Sequence, residues 1–120
     1  MHCTRLVIAA LLLSGVVAGA DAASNDETGK IKALLVAVER MDATFVRNDK
    51  TYDAKTAAEF LRRKWKANDG DVTTVKDFIE KIASKSSTSG KPYLIRFKDG
   101  REVQSGDYLR AELAKLRAPP

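Results

Sequence analysis

Cysteine and histidine each occur once in the 120-residue chain, as Cys3 and His2. Proline is confined to positions 92, 119 and 120, and tryptophan to Trp65. These scarcities exclude a disulfide scaffold and Cys/His zinc sites. Aromatics are 7% of residues, too few for an array of stacking platforms of the kind that binds single-stranded nucleic acid. No internal repeat is visible, and collagen-like, prion-like, mucin-like and coiled-coil readings fail on composition. What is present is an ordinary globular mixture, 44% hydrophobic and 31% charged, with a net charge of +5. That is material for one compact domain.

The N-terminus reads as an address. Arg5 supplies a positive start, and Leu6 to Ala20 is an apolar run of 15 residues broken only by Ser14. That is short of the ~20 residues a spanning helix needs. Ala18-Gly19-Ala20 and Ala20-Asp21-Ala22 both fit a small-residue cleavage site. Residues 1–22 are therefore expected to be a cleavable signal peptide, cut after Ala20 or Ala22, which makes the protein periplasmic or secreted. Cys3 precedes the apolar run, so a lipidated cysteine is not expected. Cleavage would remove the thiol and the imidazole together, and with them thiolate nucleophiles and Ser-His-Asp triads. No later run is apolar enough to predict a transmembrane segment, and no cofactor motif is found.

Residues 23–29 read as a flexible leader, and residues 30–120 as a single α+β domain in the order α-ββ-α-α-ββ-α, with helices packed on short antiparallel hairpins. Ile31, Leu34, Leu35, Val38 and Met41 have helical spacing within Lys30–Met41. Thr44 to Arg47, the turn Asn48-Asp49-Lys50 and Thr51-Tyr52 predict a hairpin. Asp53 is placed to cap a second helix, Ala54 to Ala67, with Ala54, Ala57, Ala58, Leu61 and Trp65 as its apolar face. Thr74 and Asp77 form a capping box for a third helix bearing Val75, Phe78, Ile79, Ile82 and Ala83. Tyr93 to Phe97, Asp99-Gly100 and Arg101 to Gln104 predict a second hairpin. Ser105 is expected to cap a last helix with Leu109, Leu113 and Leu116 as its stripe.

Three constellations bear on chemistry. The loop Ser84 to Pro92 offers five hydroxyls, Gly90, Lys85 and Lys91, a set suited to an anion. It is not a P-loop, because Lys85 and Pro92 occupy positions that demand Gly and Ser/Thr. A Ser or Thr of this loop with Lys91 or Lys85 as base is a second reading, and a turn whose serines bond their own backbone is the bland one. The second helix carries Lys55, Arg62, Arg63 and Lys66 opposite its apolar face, suited to an acidic partner or simply to solvent. Asp69, Asp71, Thr73 and Glu80 have EF-hand spacing, but Thr74 stands where the sharp turn needs Gly, so a turn rather than a metal site is expected. Trp65, Phe60 and Phe78 read as core.

Four blocks carry a family resemblance. They are Phe45-Val46-Arg47-Asn48, Ala57-Ala58-x-x-Leu61-Arg62-x-Lys64, Asp77-Phe78-Ile79 through Ala83-Ser84, and Ser86-Ser87-x-Ser89-Gly90-Lys91-Pro92-Tyr93. Over Ile31 to Leu116 the chain resembles the YfeK-like family of small exported proteobacterial proteins of unknown function. The resemblance implies export and a shared fold, and it supplies no activity. Relatives often place Gly after the Arg-Asn pair, where this chain has Asp49, and some carry cysteines absent from the mature part of this one. It points to Arg47, Arg62, Lys64, Ser86, Ser87, Ser89, Gly90, Lys91 and Tyr93 as candidate ligand or partner contacts. Together these observations predict a non-catalytic binding module for an anionic envelope component or an envelope protein. A Ser/Thr–Lys hydrolase and a structural accessory protein are the alternatives, and nucleic acid is not an expected partner.

Overall fold

The computed structural model describes residues 26–117. The signal peptide expected over 1–22, residues 23–25 of the leader and the closing Ala-Pro-Pro lie outside the described residues. Helix α1 covers residues 26–39 within the described part. It is followed by β1 (Ala43–Arg47), β2 (Lys50–Asp53), α2 (Ala54–Ala67) and a single 3₁₀ turn at Asp69–Asp71. Helix α3 (Val75–Asp77) continues without interruption as a π-helix over Phe78–Ala83. Strands β3 (Leu94–Phe97) and β4 (Glu102–Gln104) then lead into α4 (Ser105–Arg117). Among the described residues no helix is long and apolar enough to cross a membrane.

The α+β reading holds, and the two hairpins join. One antiparallel sheet has the strand order β2-β1-β3-β4, with Phe45 opposite both Tyr52 and Ile95 and Ile95 opposite Val103. Strand side chains alternate between faces, so Phe45, Ile95 and Val103 share one face, and Phe45 and Ile95 join the helices in a common core. Leu34, Val38, Val75, Phe78, Ile79, Ile82 and Leu109 are almost wholly buried there. Trp65 of α2 packs edge-on against Phe78, centroids 5.7 Å apart. The chain thus follows an α-β-β-α course twice, with the halves meeting at β1–β3, although no repeat is legible in its sequence.

Local chemistry explains the boundaries. Asp53, extended at φ −73° and ψ 167°, accepts a 2.8 Å bond from the Thr56 amide and starts α2. Thr74 and Asp77 make the reciprocal capping box. Asn48 (φ 50°) and Asp49 (φ 68°) both adopt the left-handed conformation of a two-residue type I′ turn. Asp49 therefore keeps the backbone shape that Gly would adopt without steric cost. The second hairpin turns differently. Phe97 O accepts from Gly100 N at 3.0 Å and Phe97 N donates to Arg101 O at 2.9 Å, with Gly100 at φ 92°, a three-residue loop closed by a left-handed Gly.

Three expectations are corrected. The first helix starts by residue 26 and ends at 39, so residues 26–29 are helical rather than leader, and Met41 lies beyond it. Glu27 explains the extension, since its carboxylate accepts a 2.9 Å bond from Val75 N at the start of α3. The third helix is mostly π-helical. Ser105 does not cap α4: its amide donates to Tyr93 O at 2.8 Å, while its buried hydroxyl has no partner among the described residues. The start of α4 lies close to the end of the π-helix, since a Cβ on Gly106 would stand 2.5 Å from Ser84 Oγ.

Hydrogen bonds from Thr56 hold the Asp53 carboxyl below the usual 3.8, and those from Thr73 do the same for Asp77. Both carboxyls bind a proton less readily folded than unfolded. Their stabilisation is therefore fully present above pH 3.8 and is lost as pH falls through the lower folded values. Thermal unfolding followed by circular dichroism should show Tm declining below about pH 4. An Asp53→Asn/Asp77→Asn double variant should flatten that decline; an unchanged slope would refute the assignment.

Candidate functional site

The register of β1 against β3 sets Val46 beside Leu94, which brings Arg47 level with Tyr93 and Asn48 level with the Ser-rich loop. That loop is stapled to the β1–β2 turn. Asn48 Nδ2 donates to Ser86 Oγ at 3.3 Å, and Ser89 Oγ donates to Asn48 Oδ1. Ser86 is buried and organises the loop from within. Its hydroxyl pairs with Thr88 Oγ1 at 3.0 Å and accepts weakly from the amides of Thr88 and Ser89. Its amide and carbonyl bond Lys91 O and Gly90 N at 2.9 and 3.0 Å. Gly90, at φ 74°, is where the loop reverses.

A groove of about 330 Å³ runs between this loop and α2. The helix contributes Phe60, Arg63, Lys64, Ala67 and its C-cap Asn68; the loop contributes Ser86, Ser87 and Thr88; β1 contributes Arg47, and Tyr93 stands just before β3. The Arg47 guanidinium lies 4.4 Å from the Phe60 ring centroid, and Phe60 meets Tyr93 edge-on at 6.0 Å. Lys64 Nζ donates to Tyr93 Oη and to Lys85 O, each at 2.9 Å. Burial pushes the Lys64 pKa down, and the neighbouring Arg47 charge adds to that. Burial raises the Tyr93 pKa, with Arg47 opposing. No carboxylate lines the groove, and no ion pair joins Arg47, Arg63 or Lys64 to an acid among the described residues.

The structure brings together Arg47, Lys64, Ser86, Ser87 and Tyr93 of the candidate residues. Ser89 and Gly90 shape the loop behind them. Arg62 is elsewhere, paired with Glu39 at 2.9 Å. Lys91 points outward, 3.3 Å from Asp49, with side chains 59% and 86% exposed. Lys85 is also exposed. The Ser/Thr–Lys hydrolase reading thus loses both lysines it named as base, and Ser86 Oγ is committed to structural bonds. Phe60, read as core, forms the groove wall beneath Arg47.

The sequence places Arg63 on a basic face suited to an acidic partner or to solvent, and it gives Asn48 a turn position and a place in a family block but no contact. The missed signal lies in the helix stripe: Phe60, Arg63 and Ala67 are spaced as one face, and that face, flanking the apolar one, borders the groove.

Residues 25–117 match a family described as a family of unknown function, DUF5329. The chain is 38% identical over 87 residues to the uncharacterized protein YfeK of Salmonella typhimurium, covering 72% of this chain and 71% of that protein. No solved structure matches the chain.

The staple makes a testable claim. Asn48→Gly keeps the left-handed turn but deletes the bonds to Ser86 and Ser89. It should cost about 1–2 kcal/mol in urea unfolding and accelerate hydrogen exchange at the Gly90 amide, leaving the β1–β3 amides protected. Lys91→Ala, which removes only an exposed ion pair, should cost less than about 0.5 kcal/mol. Equal effects from the two variants would refute the staple.

Proposed function

The chain belongs to the DUF5329 family of unknown function, and from that premise we propose that it is an exported, non-catalytic module that binds an anionic ligand. One observation carries the reading: Arg47, Arg63 and Lys64 converge on a groove that no carboxylate lines. Half-burying the like charges of Arg47 and Lys64 together is unfavourable, and a bound anion reverses the sign of that interaction. Low-dielectric walls such as Phe60 focus the field of these cations on whatever enters. Ser87 and Thr88 add hydroxyl donors on the opposite bank. An envelope component with a carboxylate or phosphate group fits this chemistry, and an N-terminal address of the kind read above would deliver the protein to it.

Titration of the isotopically labelled protein with inorganic phosphate and with acetate at low salt tests the reading by NMR. Shifts should cluster at Arg63, Lys64, Ser87 and Thr88, and Arg63→Gln should weaken binding by about tenfold, or about 1.4 kcal/mol. Equal shifts at Lys55, Arg62 and Lys66 would reduce the effect to general surface charge and overturn the proposal. The native polypeptide, isolated from cells and sequenced from its N-terminus, should begin at Asp21 or Ala23. A retained Met1 would remove the export component.

A further inference from the structure

Arg47 and Tyr93 form a partition between the cationic groove and a second cavity that the reading above leaves unused. This cavity, about 130 Å³, lies between the N-terminal half of α2 and the first hairpin. It adjoins the groove across Arg47, Phe60, Arg63 and Tyr93, which line both. Its walls are mainly apolar: Phe45, Tyr52, Ala57 and Leu61.

An apolar cavity that adjoins a cationic groove fits a ligand with an anionic end and an apolar body. Size narrows the choice, since a benzene ring occupies an interior cavity of about 150 Å³. The walls narrow it further, because Phe45, Phe60, Tyr52 and Tyr93 offer ring edges and faces to another ring. We infer that the cavity receives the ring of a small aromatic carboxylate. The carboxylate meets Arg47 and the cationic groove. This rests on the anion-binding reading and specifies the body of the ligand.

Titrations of the full chain with acetate, cyclohexanecarboxylate and benzoate test it. Benzoate should bind at least about tenfold tighter than acetate, and cyclohexanecarboxylate should fall between them. Ala57→Leu, which fills the cavity, should bring benzoate to the level of acetate without altering acetate. Thr56→Leu narrows the same space from the exposed flank of α2 and serves as the second variant if overpacking at position 57 unfolds the chain. Equal affinities for acetate and benzoate in the groove would overturn the ring site while leaving anion binding intact. Failure of all three ligands to bind would overturn both.

Discussion

The pairing of β1 with β3 is the constraint on which the rest depends. Each hairpin alone would be marginal in water, because a two-stranded ribbon buries too little apolar surface to offset its ordering. Placing Phe45 opposite Ile95 makes one four-stranded sheet with a continuous apolar face for four helices to cover. The same register fixes the site. One strand ends where the other begins, so Arg47 reaches Tyr93 and the Asn48 turn reaches Ser86 and Ser89. Slipping the pair by one residue would turn Phe45 and Ile95 to the other face and dismantle core and groove together.

On that platform the groove is held by two kinds of bond of unequal worth. Asn48 bonds to hydroxyls that the loop already confines, and Ser86 satisfies its own loop from a buried position. The Lys91–Asp49 contact beside them is exposed and screened. The loop that looks ligand-seeking in sequence therefore spends most of its serines on itself. Ser87 and Thr88 are its contribution to the groove, while the cations come from α2 and from the end of β1.

Much of the fold was legible because local chemistry and tertiary packing agree. Asp53 with Ala54–Ala67, the Thr74–Asp77 box and the two turns are each specified by residues within a few positions of one another. The errors fall where long-range contacts decide. Glu27 extends α1 by reaching Val75, forty-eight positions away. Ser105 is drawn off its cap by Tyr93. The π-helix over Phe78–Ala83 keeps every buried side chain that helical spacing predicts, so the hydrophobic pattern alone could not distinguish it from an α-helix. The site was half legible: resemblance singled out Arg47, Lys64 and Tyr93, whereas Arg63, Phe60 and Asn48 needed the sheet register to reveal which flank of α2 faces the loop. The register also separated Arg62 from them.

The protonation states favour binding over proton transfer. Tyr93 accepts from Lys64 Nζ, which leaves the phenolic hydrogen free to donate. Burial raises its pKa further from neutrality, so it holds that hydrogen. Lys64 loses some proton affinity through burial, but its ammonium is engaged by Tyr93 Oη and Lys85 O, both of which accept from it. A general base needs a free lone pair aimed at the reacting proton, and this arrangement presents donors instead. Arg47, Arg63, Tyr93 and the hydroxyls of Ser87 and Thr88 give a surface of fixed positive potential and outward hydrogens. On the reading proposed above, such a surface would orient an anion and discriminate among the apolar bodies attached to it.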